Sequence, residues 1–74
     1  MQRSIEMVIG RLVTDEEFRD TFQRDPQMAL GELLARGTHL THGEVAALIA
    51  TDPALWDRVA EQIDPRLQKA NLKV

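Results

Sequence analysis

The chain has 74 residues, 43% of them hydrophobic and 28% charged, with a net charge of −3 and a pI near 5.2. That composition fits one small globular domain, and a chain this short buries only about 60% of its unfolded surface, so it needs tight packing or a partner. The absence of cysteine excludes disulfides, thiolate metal sites and a cysteine nucleophile, and the acidic balance disfavours nucleic acid, whose phosphates dominate its affinity.

The N-terminal stretch MQRSIEMVIGRLV has its apolar residues interrupted by Glu6 and Arg11. It lacks the continuous apolar run of a signal peptide, and no stretch of the chain approaches the roughly 18 apolar residues of a membrane span. The expectation is a cytoplasmic protein with no membrane contact. Ile5, Val8, Ile9 and Leu12 recur at helical spacing, which predicts a first amphipathic helix ending near Val13. Thr14 followed by Glu17 then reads as a capping box, with Val13 and Phe18 as its hydrophobic staple. Asp15, Glu16 and Glu17 suit the positive end of this second helix, and Arg24 its negative end.

Phe18 and Phe22 are the buried face of that helix, and Asp25-Pro26 opens a third, because Asp caps well and Pro fits the first helical position. The third helix buries Ala29, Leu30, Leu33 and Leu34 and stops at Gly37. Thr41 and Glu44 form another capping box, with Leu40 and Val45 as staple, for a fourth helix carrying Val45, Leu48 and Ile49. Asp52-Pro53 starts a fifth, with Leu55, Trp56, Val59, Ala60 and Ile63, and Asp64-Pro65 starts a short basic helix or tail. No segment alternates with the period of a strand. The fold class expected is therefore all-α: one compact domain over residues 1–74, a bundle of five or six short helices. Its expected core is Ile9, Leu12, Phe18, Phe22, Leu30, Leu33, Leu48, Trp56 and Val59.

Thr41 follows Thr14 at the same interval as Asp52 follows Asp25. This shared plan suggests duplicated halves, although common capping preferences account for it as well.

No catalytic constellation emerges, so no enzymatic activity and no cofactor are expected. DEEFRD offers paired carboxylates, but in a solvated first turn they lack the crowding that shifts a catalytic pKa. THLTHGE supplies His39, His42 and Glu44, the weak candidates for a metal; Glu44 is already engaged by the cap and HExxH spacing is missing. A helix-turn-helix over residues 40–63 would place Asp57 and Glu61 beside a lone Arg58, which suits phosphates poorly. Trp56, the sole tryptophan, reads first as core and second as a partner anchor. After Asp64 the charge turns basic, with Arg66, Lys69 and Lys73; these three and Trp56 are the partner-binding candidates. Leu67 and Ala70 are expected to dock residues 65–70 on the bundle. A small core and a charge-split surface together suggest a protein partner or self-association.

The runs VIGRLVTDEEFRDTFQRDPQMAL, LTHGEVAAL and IDPRLQKANL resemble the leader-peptide-like proteins of the nitrile hydratase-like leader peptide clan, over almost the whole chain. These are small helical bacterial proteins, some of them precursors of ribosomally made, post-translationally modified peptides. The resemblance implies a non-enzymatic recognition domain that docks on a peptide-modifying enzyme. No Ser, Thr or Cys follows Thr51 and no Gly-Gly cleavage signal is present, so the resemblance implies a recognition bundle without a clear core peptide. More distantly the pattern is similar to the small helical subunit of extradiol ring-opening dioxygenases, which implies the alternative: an accessory subunit of a larger enzyme.

Overall fold

The computed structural model describes residues 2–68. Among these, the chain forms five α-helices and a 3₁₀ turn: α1 (Gln2–Thr14), α2 (Glu16–Arg24), α3 (Pro26–Ala35), α4 (His42–Ala50), α5 (Pro53–Glu61) and the turn Pro65–Leu67. The all-α single domain expected from the sequence is what the structure has. Helices α2 to α5 have 9 or 10 residues each, shorter than the ~12–15 that hold together alone in water, so caps and packing must stabilise them.

Local chemistry sets most of the corners. Asp25, Asp52 and Asp64 each cap the element that follows, accepting a backbone N–H from Met28, Ala54 and Arg66 at 3.1, 3.0 and 2.9 Å. Pro stands at the start of each element. Thr41 and Glu44 form the reciprocal box: Glu44 N–H donates to Thr41 Oγ1 at 3.0 Å and Thr41 N–H to Glu44 Oε1 at 2.8 Å. Helix α3 ends in a Schellman turn. Gly37 takes φ +99°, its N–H donates to Leu34 O, and Thr38 N–H donates to Leu33 O, both at 3.1 Å.

The first capping box does not form. Helix α1 continues through Thr14, whose hydroxyl donates back to Gly10 O at 2.7 Å, and Asp15 caps α2 by accepting from Phe18 N–H at 3.1 Å. Asp15 is buried and also receives Arg11 Nη2 at 3.0 Å. A carboxylate that serves a guanidinium and a helix start together outcompetes a neighbouring hydroxyl. The cap is thus one residue later than in α4, and the equal spacing of the two halves disappears.

Val8, Leu12, Phe18, Phe22, Ala29, Leu30, Leu33, Leu48 and Trp56 form one core cluster, edged by Ile5, Val13, Leu40 and Val45. Helix α1 packs on α2 and α5, α2 on α3, and α3 more lightly on α4. Phe18 and Phe22 meet at 6.3 Å between ring centroids, and Arg11 lies 4.3 Å over the Phe18 ring. Three residues expected to be buried are corrected: Ile9 is 39% exposed, Val59 36% and Leu34, beyond the buried Leu30 and Leu33 of α3, 42%. Helix α1 buries Val8 and Leu12, and α5 buries Trp56 and Ala60, each pair one turn apart. Those four-residue stripes are narrower than the apolar arcs, so the flanking Ile9 and Val59 remain half outside.

The end of α1 is closed from a distance. Helix C-termini leave carbonyls without donors. Asp15 N–H takes Arg11 O at 2.8 Å, Arg19 Nη1 donates to Leu12 O at 3.0 Å, and Gln68 Nε2 donates to Val13 O at 2.9 Å. Arg19 also donates through Nε to Asp57 Oδ1, and Gln23 Nε2 to Asp57 Oδ2 and Pro53 O, all at 3.0 Å. These bonds tie α5 to α2. The tail therefore docks at Gln68 and through an amide; Leu67, expected to be buried, is 60% exposed. The expected docking of Ala70 lies outside the described residues.

Candidate functional site

Helix α4 (HGEVAALIA) is apolar for most of its length, yet Leu48 is its only buried residue. Ala46, Ala47, Ile49 and Ala50 are exposed. Because α4 leans chiefly on α3, its other side stands off from α1 and leaves an apolar groove of about 210 Å³. Ile5 and Ile9 of α1, Glu44, Ala47 and Leu48 of α4, Thr51 and Trp56 line it. This is where Ile9 shows itself. Trp56 is 7% exposed, and its indole Nε1–H is buried without an acceptor, a costly state for a donor. Trp56 thus belongs to the core and also borders the groove.

A second cleft, also about 210 Å³, lies between α2 and α3 and is bordered by Arg11, Asp15, Glu17, Glu32 and Arg36. Its charges are mixed, and the Arg11–Asp15 pair at 3.0 Å is already part of the α1–α2 corner.

The remaining candidates are scattered. His39 is exposed between α3 and α4, and His42 is the exposed first residue of α4. Glu44 is in the capping box. Among the described residues no three His, Asp or Glu side chains gather at metal-binding range, so these three share no site. Arg66 is exposed and grips its own cap, donating to Asp64 from Nη2 at 2.7 Å and from Nε at 3.1 Å. This pairing holds the Asp64 carboxyl below its ordinary pKa and the Arg66 guanidinium above its own. Lys69 and Lys73 lie outside the described residues. Asp15, Glu16 and Glu17 of DEEFRD divide: the last two are exposed and Asp15 is buried as a cap. No described helix is long and apolar enough to cross a membrane.

Sequence reasoning missed Arg19, which is 7% exposed and links α1, α2 and α5. The available signal was a basic residue in the first turn of a helix, where the dipole favours acids. Such a residue persists when its charge serves a different helix, here the negative end of α1.

Comparison with protein-family models, with curated proteins and with solved structures found no match for this chain.

Proposed function

We propose that this chain is a non-enzymatic helical protein-interaction module, of the kind implied by its resemblance to the recognition domains of modified-peptide precursors. The observation that supports the reading is the thin cover over α4 and the apolar groove beside it. Ile9, 39% exposed, and Ala47, also exposed, line that groove from the two helices that flank it. Apolar surface of this kind favours a protein surface over water, and an indole at its edge is a side chain that interface hot spots favour.

The partner class proposed is a peptide-modifying enzyme. The test is calorimetric titration of the purified chain with the modifying enzyme encoded nearest to it. Ile9→Glu and Ala47→Glu replace exposed side chains that line the groove, so each variant keeps its melting curve while binding weakens at least ~tenfold, about 1.4 kcal/mol. Binding unchanged in both variants overturns the groove as the docking face. Binding to the catalytic chain of a ring-opening dioxygenase, with none to a modifying enzyme, would replace this reading with that of an accessory subunit.

A further inference from the structure

Size, charge and one unmet hydrogen-bond donor define what the groove beside α4 can hold. Its volume of about 210 Å³ is below the roughly 300–1,000 Å³ of sites that enclose a whole small molecule. An open space of that size suits one or two aliphatic side chains still attached to a larger body. Among the described residues, Glu44 is the only charged member of its lining. Glu6, exposed on α1, stands one position from Ile5 and three from Ile9, and the exposed Asp52 follows Thr51. Arg11 is turned the other way, to Asp15 and Phe18 at the α2 corner, and α4 carries no Lys or Arg. The groove is thus edged by carboxylates, in a chain whose net charge is −3. Trp56, 7% exposed, forms part of the wall, and its Nε1–H is buried without an acceptor. Nearly all buried donors in folded proteins have a partner. Helix α4 leans chiefly on α3, so it is the element that can yield and let an acceptor reach the indole.

We infer that the groove receives a basic, apolar peptide segment of the partner protein. One or two aliphatic side chains seat between Ile9 and Ala47, a Lys or Arg beside them faces the carboxylates of the rim, and a backbone carbonyl accepts the Trp56 N–H. This inference rests on the interaction reading and adds what the partner must present. A carbonyl is the acceptor that any peptide brings with it, and it too requires a hydrogen bond once buried, so each group satisfies the other. Apolar contact supplies the affinity, because those side chains leave water. The cation supplies the selection, because an acidic segment at the same place meets like charge. A second copy of this chain is the poorer occupant, since two molecules of net charge −3 repel one another.

The test titrates two synthetic peptides, acetyl-Lys-Leu-Leu-Lys-amide and acetyl-Glu-Leu-Leu-Glu-amide, into the isotope-labelled full chain at low ionic strength. The basic peptide should shift the Ile9 and Ala47 amides more than any amide of α2 and move the Trp56 indole proton downfield. It should also bind at least ~tenfold more tightly than the acidic one. Glu6→Gln combined with Glu44→Gln keeps the capping box, which Gln also forms, and should erase that preference. Trp56→Phe removes the donor and keeps a ring, so it should weaken the basic peptide; if its melting curve moves as well, the indole shift in the unaltered chain decides. No saturable shift, equal binding of the two peptides, shifts centred elsewhere or an indole proton that stays in place overturns the inference. Shifts at Ile9 and Ala47 that grow with chain concentration alone assign the groove to a second copy and overturn it too. The enzyme titration reads the docking face separately. Enzyme binding that Ile9→Glu weakens, beside peptides bound without preference, keeps the groove as docking face and rejects only the segment's chemistry.

Discussion

Replacing Arg19 with Met tests whether a buried guanidinium stabilises this fold as a helix cap or as an ion pair. Met keeps much of the buried apolar stem and removes the charged head. Two bonds are lost, and they are unequal. The Nη1 bond to Leu12 O at 3.0 Å is buried; a hydrogen bond from a charged donor contributes about 1.5–3 kcal/mol, and its loss strands a carbonyl at the negative end of α1. The Nε bond goes to Asp57, whose side chain is 54% exposed, so solvent screens it to about 0.2–1 kcal/mol. Arg19→Met should then cost about 2 kcal/mol, and Asp57→Asn about 0.5 kcal/mol, because Asn keeps an oxygen for Arg19 or Gln23. For a domain of this size 2 kcal/mol lowers the melting temperature by roughly 10 °C. Urea unfolding followed by far-UV circular dichroism should show a lower midpoint with an unchanged slope. Salt should weaken the Asp57 contribution and spare the Leu12 one. The reasoning is wrong if Asp57→Asn costs as much as Arg19→Met, or if Arg19→Met leaves the midpoint in place.

The other expectations concern the caps and the tail. Asp15→Ala should cost about 1–2 kcal/mol as a lost N-cap, whereas Thr14→Ala should stay within about 0.5 kcal/mol; thermal melts of the two variants distinguish which residue starts α2. Leu67→Ala should be nearly silent because its side chain is 60% exposed, while Gln68→Ala should cost about 1 kcal/mol for the lost carbonyl cap, a ranking that the same melts can reverse. Asp64 has a folded pKa below its ordinary 3.8, chiefly through the Arg66 side-chain hydrogen bond and then the Arg66 backbone N–H. Its contribution is therefore complete at neutral pH and fades as pH falls from the ordinary carboxylate value through the lower folded one. A carboxyl NMR titration should give a midpoint under 3.8, and the Arg66 amide should move with the same midpoint in the native chain and not in Asp64→Asn.

The corners legible in the sequence were those decided within four residues. Asp-Pro, Thr41 with Glu44, and Gly37 each carry their partners in the adjacent turn, so local chemistry determined them. Thr14 and Asp15 show that short range alone is not enough, since their partners are equally near. Both can cap, and the choice falls to Arg11, a full turn upstream, once burial requires a carboxylate to be paired. Ile9 and Val59 fail for a different reason. Helical spacing identifies an apolar face but not how wide a strip the neighbouring helix covers, and α4 covers little of α1. Arg19 needed a longer view, since Leu12 and Asp57 lie 7 and 38 positions from it. The groove was equally out of reach, being a gap between elements rather than a property of any one of them.

The end of α1 has a kinetic side as well. Gln68 closes Val13 O across 55 positions, nearly the whole described chain, and such a long loop can close only after the intervening helices have shortened the distance. The bond belongs late in assembly, after the passage over the barrier. Removing it should leave the refolding rate almost unchanged and make the native molecule open faster. A tail amide would then set how long this small bundle survives, while the residues of α1 and α2 set how quickly it forms.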